Sequence, residues 1–562
     1  MKPRRILSAA RLSLPFAAAL VALFSAHSAQ GQTTRFWDGN DSAANFGNAS
    51  GTWAAPTTGT ATAGWSASSA GTAVVLANSV TTLINDPLNF GRDTSGTGLG
   101  GGTITVSGTV DAASLRFGSA TTGNVTLTGG TINLAATTSI HVGAGSTTVH
   151  AISSSITGAA TSLTKTGNTL RLDANNSYTG QTIISSGTLI LNNSAVLGGN
   201  NPGVNGTSAI SMGANSTLQS NYAPADAGIT NSFVYAPITL SAAGANNFFI
   251  GNGSSTAPAE SVRFNLNGAI GGTAGANVVF GNTTGSRNNA DSIIVLGAAA
   301  TYNGNTTIQA GNTANRINVQ AGVADALPTT TVLSFDAVAG SGTGRTTQFD
   351  LNGNNQTLAG LENGGTVASL RNIRVTNTGA LANLTINGAA DFTYGGTTLS
   401  GSTTTSAQIT GAISLVKSGA GTFTLGGTLV GGATAQGNAF TGPTKILGGI
   451  LVLGQTNSMQ NSAFDTDGSI LGDGANGLSS SVTFLRIGGL TGGNNFATRF
   501  TTAGGYSGLT GLVLNPGTGV TNSYSGDIGD GAIGMNLTKS GAGTQVLSGT
   551  NTYRALRKII IY

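Results

Sequence analysis

The sequence predicts an all-β fold, a parallel β-helix of stacked coils, on three observations. Helix formers are scarce, with only two Glu in the chain, Glu260 and Glu362. Short segments alternate apolar residues with Thr, Ser or Asn at a period of two, and one long motif recurs along the chain.

The alternating segments include TITVSG from Thr103, NVTLTGGTINL from Asn124 to Leu134, TIISSGTLIL from Thr182 to Leu191, and GGILVLG from Gly448 to Gly454. Each is bounded by Gly or Asn, which accept positive φ at low cost and so mark tight turns. The turns come too often for helical crossovers to fit between the strands. Stacked coils solve the burial problem: Leu, Ile and Val point inward as continuous stripes, while Thr, Ser and Asn face solvent or ladder at turns. At roughly 20–25 residues per coil the mature chain would make about 21–26 coils, a rod of about 100–125 Å.

The recurring motif reads LTKTGNTLRLDANNSYTGQTIISSGTLIL from Leu163 to Leu191. It returns as LVKSGAGTFTL from Leu415, continued by NAFTGPTKILGGILVL from Asn438 to Leu453, and as LTKSGAGTQVLSGTNTY from Leu537 to Tyr553. A shorter copy, TYNGNTTIQAG, starts at Thr301 within a repeat spanning 301–319. Tyr178, Tyr302 and Phe440 are each followed by Gly180, Gly304 and Gly442, then by Thr182, Thr306 and Thr444, then five residues on by Gly187, Gly311 and Gly449. Lys165, Lys417 and Lys539 occupy one equivalent position, and Tyr553 closes the last copy.

Composition narrows the class further. Gly and Pro number 88 and 11 of 562 residues, about 18%, below the roughly 25–30% at which aperiodic Pro/Gly content argues for disorder. There is no cysteine, so neither disulfides nor thiolate metal sites stabilise the chain. The net charge of +4 comes from Lys2, Arg4, Arg5 and Arg11; without them 19 basic residues face 19 acidic ones. No basic cluster precedes the last nine residues, which excludes nucleic acid and anionic lipid as expected partners.

Residues 1–31 read as a secretory signal peptide: basic start, apolar Leu12–Phe24, then small residues around Ala26, Ser28, Ala29 and Gly31. The mature chain then begins near Gln30 or Gln32, and no later apolar run is long enough for a membrane helix. Residues 32–95 hold all three tryptophans, Trp37, Trp53 and Trp65, and read as a distinct N-terminal cap or small β subdomain. Residues 96–553 form the β-helix. The tail 554–562, RALRKIIIY, breaks the repeat and suggests truncation, leaving an uncapped last coil through which chains would self-associate.

The motifs at 163–191 and 415–453 resemble the autotransporter-associated β-strand repeat family, whose unit runs Leu-x-Lys-x-Gly-x-Gly-Thr-Leu-x-Leu, Asn-x-Tyr-x-Gly-x-Thr, then Gly-x-Leu. FDLNGNNQTLAGLENGGTV, from Phe349 to Val367, looks like a segment such proteins place between repeats. The resemblance implies a right-handed parallel β-helix in a passenger region at the outer surface of a Gram-negative-type bacterium, without catalytic residues or cofactors.

Candidate sites are few. Asp465, Asp467 and Asp473 in FDTDGSILGDG form the one dense acidic group, a metal loop with too few ligands at fixed offsets, and read first as a solvated turn. Asp527 and Asp530 read the same way. His141 and His150 have no acid between them and are expected on the surface or in turns. The tryptophan trio offers a carbohydrate-binding platform or a cap. The recurrent aromatics are expected to pack between coils, and the recurrent lysines to lay their stems over the coil surface and discourage sideways strand pairing. The expectation is a secreted or cell-surface structural or adhesive solenoid contacting glycans or other cells; the alternative is a polysaccharide-active β-helix enzyme or carbohydrate-binding module.

Overall fold

A computed structural model describes residues 32–553 apart from 41–42, 44, 58–62, 73–79, 93–97, 119–122, 144–148, 159–161, 193–196, 198–206, 222–229, 252–261, 274, 284–290, 312–315, 338–345, 365–371, 396–405 and 427–436. The signal segment and the tail 554–562 lie outside the described residues.

Among the described residues the regular elements are almost all strands, arranged in sheets of 12, 10, 8, 8, 4 and 2. Among the described residues two short 3-10 turns, Phe496–Arg499 and Tyr506–Gly508, are the only helical elements, and none of these residues forms a helix long and apolar enough to cross a membrane. Strands pair in parallel with the coil before and the coil after: Leu163 sits opposite Thr182, which sits opposite Ile210, which sits opposite Ile238. This is a parallel β-helix. Coil length varies from 19 residues, Leu163 to Thr182, to 34, Asn372 to Ser406. At a mean of about 26 residues the described span makes roughly 20 coils and about 95 Å, slightly shorter than the sequence suggested.

Alternation places the apolar residue of each rung in one continuous interior. Leu170, Leu189, Leu218, Phe248, Phe280, Ile308 and Phe335 are successive register partners, and all are fully buried. Such a column has no stable unit shorter than several coils, because each side chain is covered by the rungs above and below it. From Thr230 onward a third sheet joins, running from Thr230–Val234 through Val262–Leu266 and Ser406–Gly411 to Ala439–Phe440.

The N-terminal stretch enters the same ladder. Arg35–Asp38 pairs in parallel with Pro87–Phe90, which pairs with Ser114–Phe117, so the ladder crosses the boundary expected at 95. Gly64–Ser66 pairs antiparallel with Arg35–Asp38 and forms the end of the sheet. The tryptophans are core residues. Trp37 meets Trp65 edge to face at 4.9 Å, Trp65 meets Trp53 at 5.5 Å, and the stack continues through Phe90 and Phe117 to His150. At 0, 0 and 1% exposure, Trp37, Trp53 and Trp65 present no ring face on which a sugar could stack, so the carbohydrate-platform expectation for them is corrected to core packing.

Candidate functional site

The residues that recur in the sequence converge on two nodes, each tying one coil to the next. The first is built on the lysines. Lys165, at the end of a strand that runs into a turn, directs Nζ to the carbonyls of Gly167 at 2.7 Å, Ser186 at 2.8 Å and Asn168. Lys417 reaches Gly448 O at 3.2 Å and Gly419 O, and Lys539 reaches Gly541 O at 2.8 Å. In every copy the acceptor two residues on is the same, and in the first two copies a carbonyl of the following coil is added. The surface role expected of them is therefore corrected for two of the three: Lys165 and Lys417 are 0 and 1% exposed, because turn carbonyls with no strand partner need a donor, while Lys539 is half-buried. With burial opposing charge, the Lys165 amine is pushed down to about 7 and that of Lys417 to about 8.

The motif glycine belongs to the same node. Gly187 and Gly449 adopt φ of +67° and +64°, and a Cβ there would lie 2.7 Å from Lys165 Nζ and 2.5 Å from Lys417 Nζ respectively. The copy at 301–319 has no lysine at this place, and its Gly311 is outside the left-handed region. A Cβ at either glycine would first collide with a turn carbonyl that the lysine also bonds, Gly167 O at 1.9 Å or Gly419 O at 2.2 Å, so the glycine is needed for the close approach of turn to turn as well as for the positive φ.

The second node explains the aromatic, Gly and Thr. Tyr178 OH lies 2.7 Å from Thr182 Oγ1, which donates to Thr207 Oγ1 at 2.9 Å in the next coil; Thr207 in turn donates to Gly180 O at 2.9 Å. Tyr302, Thr306, Thr331 and Gly304 O repeat this path at 2.6, 2.9 and 3.0 Å. In the third copy Thr444 and Ser462 stand 2.8 Å apart and Ser462 donates to Gly442 O at 2.6 Å, while Phe440 supplies only packing. Each hydroxyl carries one proton. Donation at the glycine end therefore fixes the direction, and the tyrosine must donate to its threonine. Tyr178, Tyr302 and Phe440 are buried, and Tyr553 packs against the core.

Two participants escaped the sequence reading. Thr207, Thr331 and Ser462 lie 25, 25 and 18 residues after their partners, and variable coil length hides them. Asn176, Asn438 and Asn551, each two residues before the aromatic, accept the backbone N–H of Ile156, Ile409 and Ile528 through Oδ1 at 2.7, 2.8 and 3.0 Å. Their fixed offset was available as a signal.

The acids do not converge. Asp465 Oδ1 accepts Asp467 N and Gly468 N, Asp467 Oδ1 accepts Gly493 N and both nitrogens of Asn494, and Asp473 Oδ1 accepts Ala475 N and Asn476 N. Three separate turns are tied, and among the described residues no group of three or more His, Asp or Glu is placed to hold a metal. Asp465 and Asp467 also border a cleft of about 740 Å³, shared with Asn461 and Asn522, where the strand Met459–Asp465 bulges out of register with its neighbour. Asp527 Oδ1 accepts Thr550 N at 2.7 Å.

The histidines lie in different sheets. His141, half-buried, sits 2.8 Å from Thr166 Oγ1. His150 is fully buried, a correction to the surface position expected of it; Nδ1 accepts Val125 N–H at 3.1 Å, and burial pushes its pKa down to about 4.

Fold and nodes together define a β-solenoid repeat protein whose recurring residues join coil to coil. Three segments, 163–191, 415–453 and 537–554, match the passenger-associated-transport-repeat family. The chain thus carries this passenger-type repeat in three places, and two of the three matched segments contain a complete lysine–glycine node. Comparison with curated proteins and with solved structures finds no match.

Proposed function

We propose that the chain is an exported cell-surface rod, structural or adhesive and non-catalytic, that reaches its compartment through the segment 1–31. The observation carrying this reading is that the motif residues, Lys165, Tyr178, Thr182 and their copies, point into coil-to-coil bonds rather than into a pocket. A repeat of that kind builds length and stiffness. The outer rungs remain for contact with glycans or other cells.

A polysaccharide-active reading has the cleft beside Asp465 and Asp467 in its favour. The two readings are separated by presenting purified protein with a broad glycan panel and assaying both retention and released sugar. The rod reading expects saturable retention with no release; turnover that disappears in Asp465→Asn/Asp467→Asn would establish the enzyme instead.

A further inference from the structure

We propose that the outer face of the third sheet, along Arg263, Asn318, Gln348, Arg374 and Gln408, is a track for a linear carboxylated polysaccharide, a polyuronide, lying parallel to the helix axis. This deepens the glycan-contact reading above and rests on it.

The register makes the track. Arg263 sits opposite Ile293, then Asn318, Gln348, Arg374 and Gln408 follow as partners on successive rungs. Neighbours in these strands, Phe264, Ile317, Val319, Phe349, Ile373, Val375 and Ile409, are buried, so the alternating positions between them turn outward. Five of the six rungs therefore carry a half-buried polar, planar side chain, at the roughly 4.8 Å spacing of neighbouring strands, while the sixth carries buried Ile293 and the Gln408 amide also donates to Gly437 O. That spacing is close to the advance per sugar of an extended polysaccharide, so a chain along the axis stays in step with the rungs.

Charge selects the kind of polysaccharide. The column holds two guanidiniums and no acid. In the adjoining column the Asp350 carboxylate is buried and already accepts Asn352 N, Thr378 N, Thr378 Oγ1 and Gln320 Nε2, so it does not face a ligand. Arg263 is held along the track by Nη1 donating to Gln320 Oε1 at 3.1 Å. Guanidinium and carboxylate match in planar two-point geometry. Each contact is shallow, and affinity accumulates along the chain through multivalency.

The test uses the full mature chain and galacturonate oligomers of increasing length, with dextran as the neutral comparison. Binding should tighten with oligomer length, weaken with salt, and fall about tenfold or more in Arg263→Gln/Arg374→Gln, as expected for losing charge-assisted bonds. Gln348→Glu, which adds a like charge to the middle of the track with little risk to folding, should weaken it too, while Arg171→Gln on another sheet should not. Absence of galacturonate binding, equal binding of dextran, or indifference to both track variants would overturn the proposal. If the wild-type chain binds other glycans or cells but not galacturonate, the track alone is wrong; if it binds no glycan and no cell, the surface reading falls with it.

Discussion

Thr182 Oγ1 donates to Thr207 Oγ1 across a coil boundary at 2.9 Å, with Tyr178 OH behind it and Gly180 O ahead of it. The same ordered path, tyrosine to threonine to a hydroxyl in the next coil to a glycine carbonyl, recurs around Thr306. A motif that looks like a string of separate preferences is one proton-ordered contact between neighbouring coils.

Replacing Thr182 with Val keeps the shape and leaves buried hydroxyls without partners. We expect a local loss of about 1–3 kcal/mol, read by amide exchange in the strands Thr182–Ile184 and Ile210–Met212. Tyr178→Phe, which reproduces the arrangement at Phe440, should cost less. Equal protection in T182V and wild type would count against the path.

Gly187→Ala and Gly449→Ala must strain a left-handed backbone and press a methyl on the carbonyls of Gly167 and Gly419 as well as on the lysine amine. Each should lower the melting temperature more than Gly508→Ala, a position with open space around it and no positive φ. A thermal scan in which all three variants melt alike would contradict the lysine–glycine node.

Lys165 makes stability depend on pH near neutrality. Its amine is pushed down to about 7 in the fold from an ordinary 10.5, so between these values the unfolded chain binds more protons, and stability rises with pH from about 7 to 10.5. For His150, pushed down to about 4 from 6.5, the same sign makes stability fall as pH drops from 6.5 to 4. Melting curves of wild type and Lys165→Met should diverge in slope across the alkaline window and stay parallel in the acid one; parallel curves throughout would argue that Lys165 is not buried.

How much of this was legible depends on what each residue meets. Period-two alternation and the Tyr/Phe-x-Gly-x-Thr register were visible because a strand's side-chain period is fixed and the motif lies within one coil. The partner hydroxyls were not, because coils vary from 19 to 34 residues and Thr207, Thr331 and Ser462 lie 25, 25 and 18 residues after their partners. Lys165 and Lys417 were read as surface residues because buried lysines are rare, and nothing local announced the turn carbonyls that hold them. Trp37, Trp53 and Trp65, clustered in a chain poor in aromatics, suggested a platform; their true neighbours Phe90 and Phe117 lie one and two strands further along the chain's ladder.

Whether polar side chains bind coil to coil is tested most directly by a double-mutant cycle on Thr182→Val and Thr207→Val, read by native-state hydrogen exchange. The path between them predicts a coupling of about 1 kcal/mol or more, within the range for residues in one hydrogen-bond network. Strictly additive effects would show that the two hydroxyls act alone, and that stacking of the apolar interior accounts for the joining of coils.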